Sequence, residues 1–267
     1  MLSHQTAEAP PAGPLAPAYR LGPDVVLIPV EDGSARLLDF AGETFALSEV
    51  AARMLTETLN SGRAKAVETI TRLWDVESER VETDLDALLA SLMKEGLIVP
   101  AGKTCSRIGW VESLAGRVVS ALVRLTCLVR HSTAGQASGL LTVAKFSCRW
   151  LGWAKTVRAW QQSFPLSDQP LQGSAAEASR QTVDAAVRAA LAHSTLYHAC
   201  KERGLTAWAL ARRAGLSPTL VIGISLFPMH AHCWAQMGGT FLGDSPERCL
   251  QYRPVRTYAE TAPRGVS

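Results

Sequence analysis

Between Cys200 and Asp244 the chain leaves little freedom of fold. "CKERGLTAWALARR" reads as an amphipathic helix, with Gly215 as its terminator and Pro218 shortly after. "TLVIGIS" is an apolar, β-branched run of strand length, so it reads as a buried strand. "AHCWAQM" and "TFLGD" are two more strands, joined through Gly238 and Gly239. A helix feeding a strand and a hairpin is an α+β arrangement. It sets one chemically capable residue at the start or end of three elements: Cys200, His232 and Asp244.

A thiol in the first turn of a helix sees free N–H groups and a partial positive charge, which favour the thiolate. Inert, buried cysteine is the commoner use of the residue, so position alone does not make Cys200 a nucleophile. A nucleophile also needs a base, and the base an orienting group. The hairpin decides whether they meet. A three-residue loop of Met237, Gly238 and Gly239 pairs His232 with Asp244 on one face, within cross-strand reach. A two-residue Gly-Gly turn sets them on opposite faces.

Cys233 alternates to the other face and reads as core, and His230 falls in a loop. His198 reads as support for the site, as a cap of the helix or as a mere neighbour. Cys105, Cys127, Cys148 and Cys249 have no base nearby in sequence and read as small core residues.

The order Cys, His, Asp matches papain-like and transglutaminase-like architectures. Its chemistry is acyl transfer. The Cys200 thiolate attacks a carbonyl and forms a thioester, and His232 protonates the leaving amine and then activates water. Asp244 holds the imidazole, and the Cys200 amide is one oxyanion donor. A transglutaminase or acyltransferase would use the same three residues with an amine acceptor, and a non-catalytic binding scaffold would not need them.

Several classes are excluded by composition. A net charge of +3 is too small for a nucleic-acid binder. Six cysteines in 267 residues, with no CxxC pair and no HExxH, read neither as a disulfide framework nor as a zinc site, and no cofactor is expected. The N-terminus lacks the basic start and apolar core of a signal peptide, and no apolar run is long enough to form an integral membrane segment. The chain reads as cytoplasmic.

Four regions follow from the pattern. Residues 1–20, rich in Pro and Ala, read as a disordered tail. In 21–100 three short strands, "DVVLIPV", "ARLLDF" and "ETFAL", precede three helices over 49–60, 64–74 and 78–94. An Asp-Gly turn joins the first two strands, Ser48 caps the first helix and Gly96 ends the third. The third helix is acidic outside (Glu79, Glu82, Asp84, Asp86), as a solvated face would be.

Residues 101–181 form a helical connector, with helices over 111–130 and 139–161 and a loop over 163–179. Nine Lys or Arg and one acid fall between Lys103 and Arg158, which suits either snorkelling cations or a docking surface for an acidic partner. Residues 182–267 complete the chain as the α+β domain.

"CKERGLTAWALARRAGLSPTLVIGISLFPMHAHCWAQMGGTFLGDSP" resembles the transglutaminase-like leader peptidases of lasso-peptide biosynthesis, through Cys200, Gly215, Leu216, Leu220 to Gly223, His232, Trp234 and Asp244. Ala235-Gln236 departs from the Val-Glu common there. "VVLIPVEDGSARLLDFAGETFALSEVAARML", continued by "VETDLDALLASLMKEGLI", resembles a PqqD-like domain, the winged-helix-like RiPP recognition element that binds leader peptides.

The resemblance implies that a leader adds as a strand to "ETFAL" against the last helix, near Phe45, Leu88 and Leu92. The acidic face would favour basic leaders. It also implies a precursor peptide as substrate, a papain/transglutaminase-like peptidase domain and an asparagine-synthetase-like lasso cyclase as partner.

Overall fold

In the computed structural model, residues 18–101, 109–226 and 228–258 are described, with side chains of the second stretch from 114 onward. Residues 1–17 and Cys105 lie outside them, and with them most of the expected disordered tail, whose last residues, Tyr19 and Arg20, are in a strand instead. The chain divides into two compact units, Met1–Ser106 and Arg107–Ser267.

The first unit is built from β1 (Tyr19–Leu21), β2 (Val25–Pro29), β3 (Ala35–Asp39), β4 (Thr44–Leu47), α1 (Glu49–Ser61), α2 (Arg63–Trp74), α3 (Ser78–Lys94) and β5 (Ile98–Pro100). β2, β3 and β4 form an antiparallel sheet in that order. Its first hairpin turns at Gly33, whose φ of +81° suits glycine, and the Ser34 amide donates to Asp32 Oδ1 at 2.9 Å. Ser48 caps α1 by accepting from the Ala51 amide at 3.3 Å. Gly96, at φ +71°, ends α3 and lets the Leu97 amide reach back to the Leu92 carbonyl at 2.9 Å.

Leu37, Leu55, Ile70, Leu85, Leu97 and Ile98 lie fully buried between this sheet and the three helices. β1 and β5 pair with each other as a second, two-stranded sheet that the sequence pattern does not announce. Three residues are too few to show a period.

The second unit holds α4 (Gly109–Val129), α5 (Thr133–Leu151), α6 (Trp153–Ser163), α7 (Gly173–His193), α8 (Cys200–Arg213), β6 (Thr219–Leu226), β7 (Met229–Met237), β8 (Thr240–Leu242), α9 (Pro246–Cys249) and β9 (Arg253–Tyr258). The strands make one antiparallel sheet in the order β8-β7-β6-β9.

The expected helix over 139–161 is two helices. Gly152, at φ +75°, breaks it, and the first of the two begins earlier, where Ser132 accepts from the Gly135 amide at 3.1 Å. α7 likewise starts inside the expected loop. α8 is not amphipathic, because every residue from Gly204 to Arg212 is buried. It lies between β7 on one side and α5 and α7 on the other. Its one charged residue there, Arg212, stacks on Trp208 at 4.1 Å and donates to the Phe164 carbonyl at 3.0 Å.

Candidate active site

Cys200 is the first residue of α8. The helix starts there because Ala199 is extended, and the Glu202 carboxylate accepts a hydrogen bond from the Ala199 amide. One turn on, Gly204 lets α8 lie directly on β7, since a Cβ there would stand 3.0 Å from the Cys233 carbonyl oxygen. Close approach of helix and strand brings the thiol to His232.

His232 is 2% exposed, in the middle of the sheet, opposite Gly223 of β6. A Cβ on Gly223 would meet Trp234 at 2.6 Å and the Tyr252 Cβ at 2.9 Å. That missing side chain leaves a slot in which the imidazole stacks on Tyr252 (centroids 4.9 Å apart) and on Trp234 (5.9 Å). The Trp234 indole donates to Gln236 Oε1 at 2.8 Å, so the carboxamide at that position holds the slot's wall.

Asp244 arrives by a route other than the expected one. The turn is two residues, Gly238 and Gly239, both at positive φ, and Met237 pairs with Thr240, Gln236 with Phe241 and Ala235 with Leu242. Strand alternation alone would then send His232 and Asp244 to opposite faces. β8 stops at Leu242, however, and Gly243, at φ +69°, turns the chain out of the ladder. His232 Nε2 therefore lies 2.8 Å from Asp244 Oδ2.

The turn is held from α7. The Gly243 amide donates to Asp184 Oδ1 at 2.8 Å, and Arg188 donates both to Asp184 Oδ2 and to the Asp244 carbonyl, each at 2.8 Å. Neither residue stands out in the sequence as part of a site.

Besides the carboxylate at Nε2, the Cys200 and Cys249 thiols both act on the His232 imidazole. Burial raises the Cys200 thiol. The hydrogen bond and charge of His232, the Cys233 amide and the Arg203 cation outweigh it and hold the thiol below its usual value. Burial opposes the charge on His232 as well, but Asp244, Cys200 and Cys249 push it up to about 11. For Asp244, burial is outweighed by His232 and the Ser245 amide, which keep the carboxyl low. Both shifts favour a thiolate beside an imidazolium, the charge state that acyl transfer by a thiol requires.

The remaining cysteines and histidines divide clearly. Cys249 has a base partner in space although none in sequence. Its side chain is hydrogen-bonded to His232, and the donor atoms of His232, Asp244 and Cys249 lie within 4.8 Å of one another, a set that could hold a soft divalent ion. α9, which carries Cys249, starts at a Ser245 cap and a first-turn proline, a helix signal (Ser-Pro-Glu) that the sequence reading passed over.

Cys233 is buried beneath α8, and burial raises its thiol well above the usual value. His230 is exposed on β7. His198 is buried and hydrogen-bonds through Nε2 to Ser194 Oγ at 2.9 Å, within the loop that precedes α8.

In the first unit, Phe45 and Leu88 are half-buried against the core, while Leu92 is 5% exposed and belongs to it. β4 has β3 on one side, and among the described residues no strand on the other. On the acidic face of α3, Arg63 forks onto Asp86 at 2.9 and 3.0 Å and reaches Glu82 at 3.4 Å.

Two family models match the chain. Residues 138–257 match the transglutaminase-like superfamily, and residues 24–98 match coenzyme PQQ synthesis protein D (PqqD). No curated protein and no solved structure matches it. The first match implies an enzyme with a catalytic Cys, His and Asp. Among the described residues, no helix is long and apolar enough to cross a membrane.

Proposed function

From a chain that joins a PqqD domain to a transglutaminase-like core, the combination typical of a lasso-peptide leader peptidase fused to its recognition element, we propose a cysteine peptidase that binds the leader of a ribosomal precursor and cuts it from the core peptide. Cys200, His232 and Asp244 are its catalytic residues. The observation that carries this reading is the 2.8 Å contact of His232 Nε2 with Asp244 Oδ2 on a ring that also acts on the Cys200 thiol at the start of α8, holding the thiol low while the imidazole is held high.

The Cys200 thiolate attacks the scissile carbonyl, and the oxyanion forms beside the helix-start amides. The C–N bond breaks as the His232 imidazolium gives its proton to the leaving amine of the core peptide. The thioester holds the leader. Water then loses a proton to the neutral imidazole and attacks the thioester, releasing the leader carboxylate and restoring the ion pair. Asp244 keeps the ring in register through both halves.

The leader docks on the PqqD domain by β-augmentation. Asp39 N donates to Glu43 O at 2.9 Å, so alternation along the β3–β4 ladder turns the Thr44 and Ala46 amides to the open edge of β4. Phe45 and Leu88 offer half-buried apolar surface beside it, and Leu92 backs them from within the core. Thiols at Cys127, Cys200, Cys233 and Cys249 suit a reducing compartment such as the cytoplasm. An asparagine-synthetase-like cyclase would take the released core.

Incubation of the full chain with a precursor peptide tests the proposal by mass. Two fragments whose masses sum to the precursor plus one water support it. A product carrying an added amine would mark an acyltransferase, and turnover that survives Cys200→Ala would leave a scaffold.

A further inference from the structure

We propose that the groove between α4 and α6 docks an acidic amphipathic helix of a partner protein. α4 buries Val119, Val123 and Cys127 against its own unit, which is the ordinary use of one helix face. Its outer face is apolar as well. Leu114, Val118, Leu122, Leu125, Leu128 and Val129 are between 44% and 72% exposed and fall on one stripe at helical spacing. A contiguous apolar stripe of this length marks an interaction surface.

The groove runs alongside that stripe and encloses about 1170 Å³. Leu125 and Leu128 belong to both. Small residues, Gly116, Ser120 and Ala159, line it, and the Ser120 hydroxyl donates to the Ala159 carbonyl at 3.3 Å to tie the two helices together. Arg117 and Arg124 stand on the α4 side and Arg158 on the α6 side, and among the described residues no acid lines it.

Charge and shape together choose the occupant. Three arginines around a trough lined by small residues fit a ridge of carboxylates flanked by an apolar stripe, which is the helix-in-groove mode with acidic rather than basic polar positions. A bilayer would meet the ridges of this surface, whereas Arg158 sits across the trough from Arg117 and Arg124.

The probes are two labelled synthetic peptides with the same helical Leu spacing, one with Glu and one with Lys at the polar positions, and vesicles of phosphatidylglycerol. Anisotropy is read with the full chain, and with Cys200→Ala, which should bind equally because the inference does not depend on the catalytic reading. The Glu peptide is expected to bind and the Lys peptide not. Binding should weaken about tenfold or more in the double variant Arg117→Glu, Arg124→Glu, and should fall on raising salt.

Leu125→Asn with Leu128→Asn should weaken it without changing the salt dependence. Equal circular dichroism spectra would show that the variants fold. Binding of neither peptide, equal binding of both, or binding of the vesicles in place of the Glu peptide would overturn the proposal.

Discussion

His232 Nε2 and Asp244 Oδ2 are 2.8 Å apart although the hairpin register alone would put the two residues on opposite faces of the sheet. The contact depends on Gly243, whose positive φ takes Asp244 out of the ladder, and on α7, which receives the turned chain. The geometry of the proposed triad is thus fixed partly by residues that bear no chemistry.

Gly243→Ala should damage both stability and turnover. The new Cβ would sit 2.7 Å from Val187 Cγ1 at a φ of +69° that alanine resists. Overpacking and strain together should cost about 1–3 kcal/mol in denaturant unfolding. Turnover per folded molecule should fall as well, because Asp244 loses its placement.

Asp184→Asn acts through position alone. It weakens the acceptor for the Gly243 amide and the partner of Arg188, and touches none of the reacting atoms. Steady-state kinetics with a full precursor should show kcat reduced with KM nearly unchanged, since leader binding is assigned to the PqqD domain. Equal losses in kcat for the precursor and for a leaderless peptide would fit, and a change confined to KM would not.

Asp244→Asn should alter the pH profile. Asp244 is the leading group that raises His232, which stands at about 11. The imidazolium persists on the acid side of that value and is lost above it, so the alkaline limb of kcat/KM should move down toward about 6.5 in the variant, the ordinary imidazole value. The thiol, deprived of part of its counter-charge, should move up, narrowing the active window from both sides.

The same pair contributes stability of opposite sign dependence. His232 is raised, so its share is full below about 6.5 and is lost as pH climbs toward its folded value. Asp244 is lowered, so its share is present above about 3.9 and is lost as pH falls through its folded value. The difference in melting temperature between the parent and Asp244→Asn should be greatest between those limits. A difference that is flat from pH 3 to 11 would contradict the ion pair.

Ala46→Pro separates leader binding from catalysis. It removes one amide from the open edge of β4 and no ladder bond to β3. Titration with a labelled leader peptide should show binding weakened by about tenfold, roughly the worth of one lost charge-free hydrogen bond. Cleavage of a short peptide lacking the leader should be unaffected.

Residues with strong local signals were legible in the sequence. Ser48, Gly96 and Gly215 punctuate helices by capping and positive φ, which are properties of the residue itself. The elements carrying Cys200, His232 and Asp244 were read for the same reason. What was misread depended on partners distant in the chain. From Gly204 to Arg212 α8 is buried because β7, α5 and α7 all pack on it, and no period in its own sequence records that.

Cys249 meets His232 only because a four-residue helix returns the chain, and Asp184 meets Gly243 from 59 residues away. The Gly-Gly sequence satisfies both a two-residue and a three-residue loop, and only the longer loop pairs the triad directly across the hairpin. The fold reached the same contact through the next glycine instead.

The most direct test of the central claim is the pH dependence of Cys200 alkylation, followed by iodoacetamide labelling and peptide mapping in the parent and in His232→Phe. A reactive thiolate is expected well below the ordinary thiol range, which lies near 8.5, and that reactivity should disappear in the variant. Alkylation that rises only near the ordinary thiol value, and to the same degree in both chains, would contradict the thiolate–imidazolium pair on which the proposed chemistry rests.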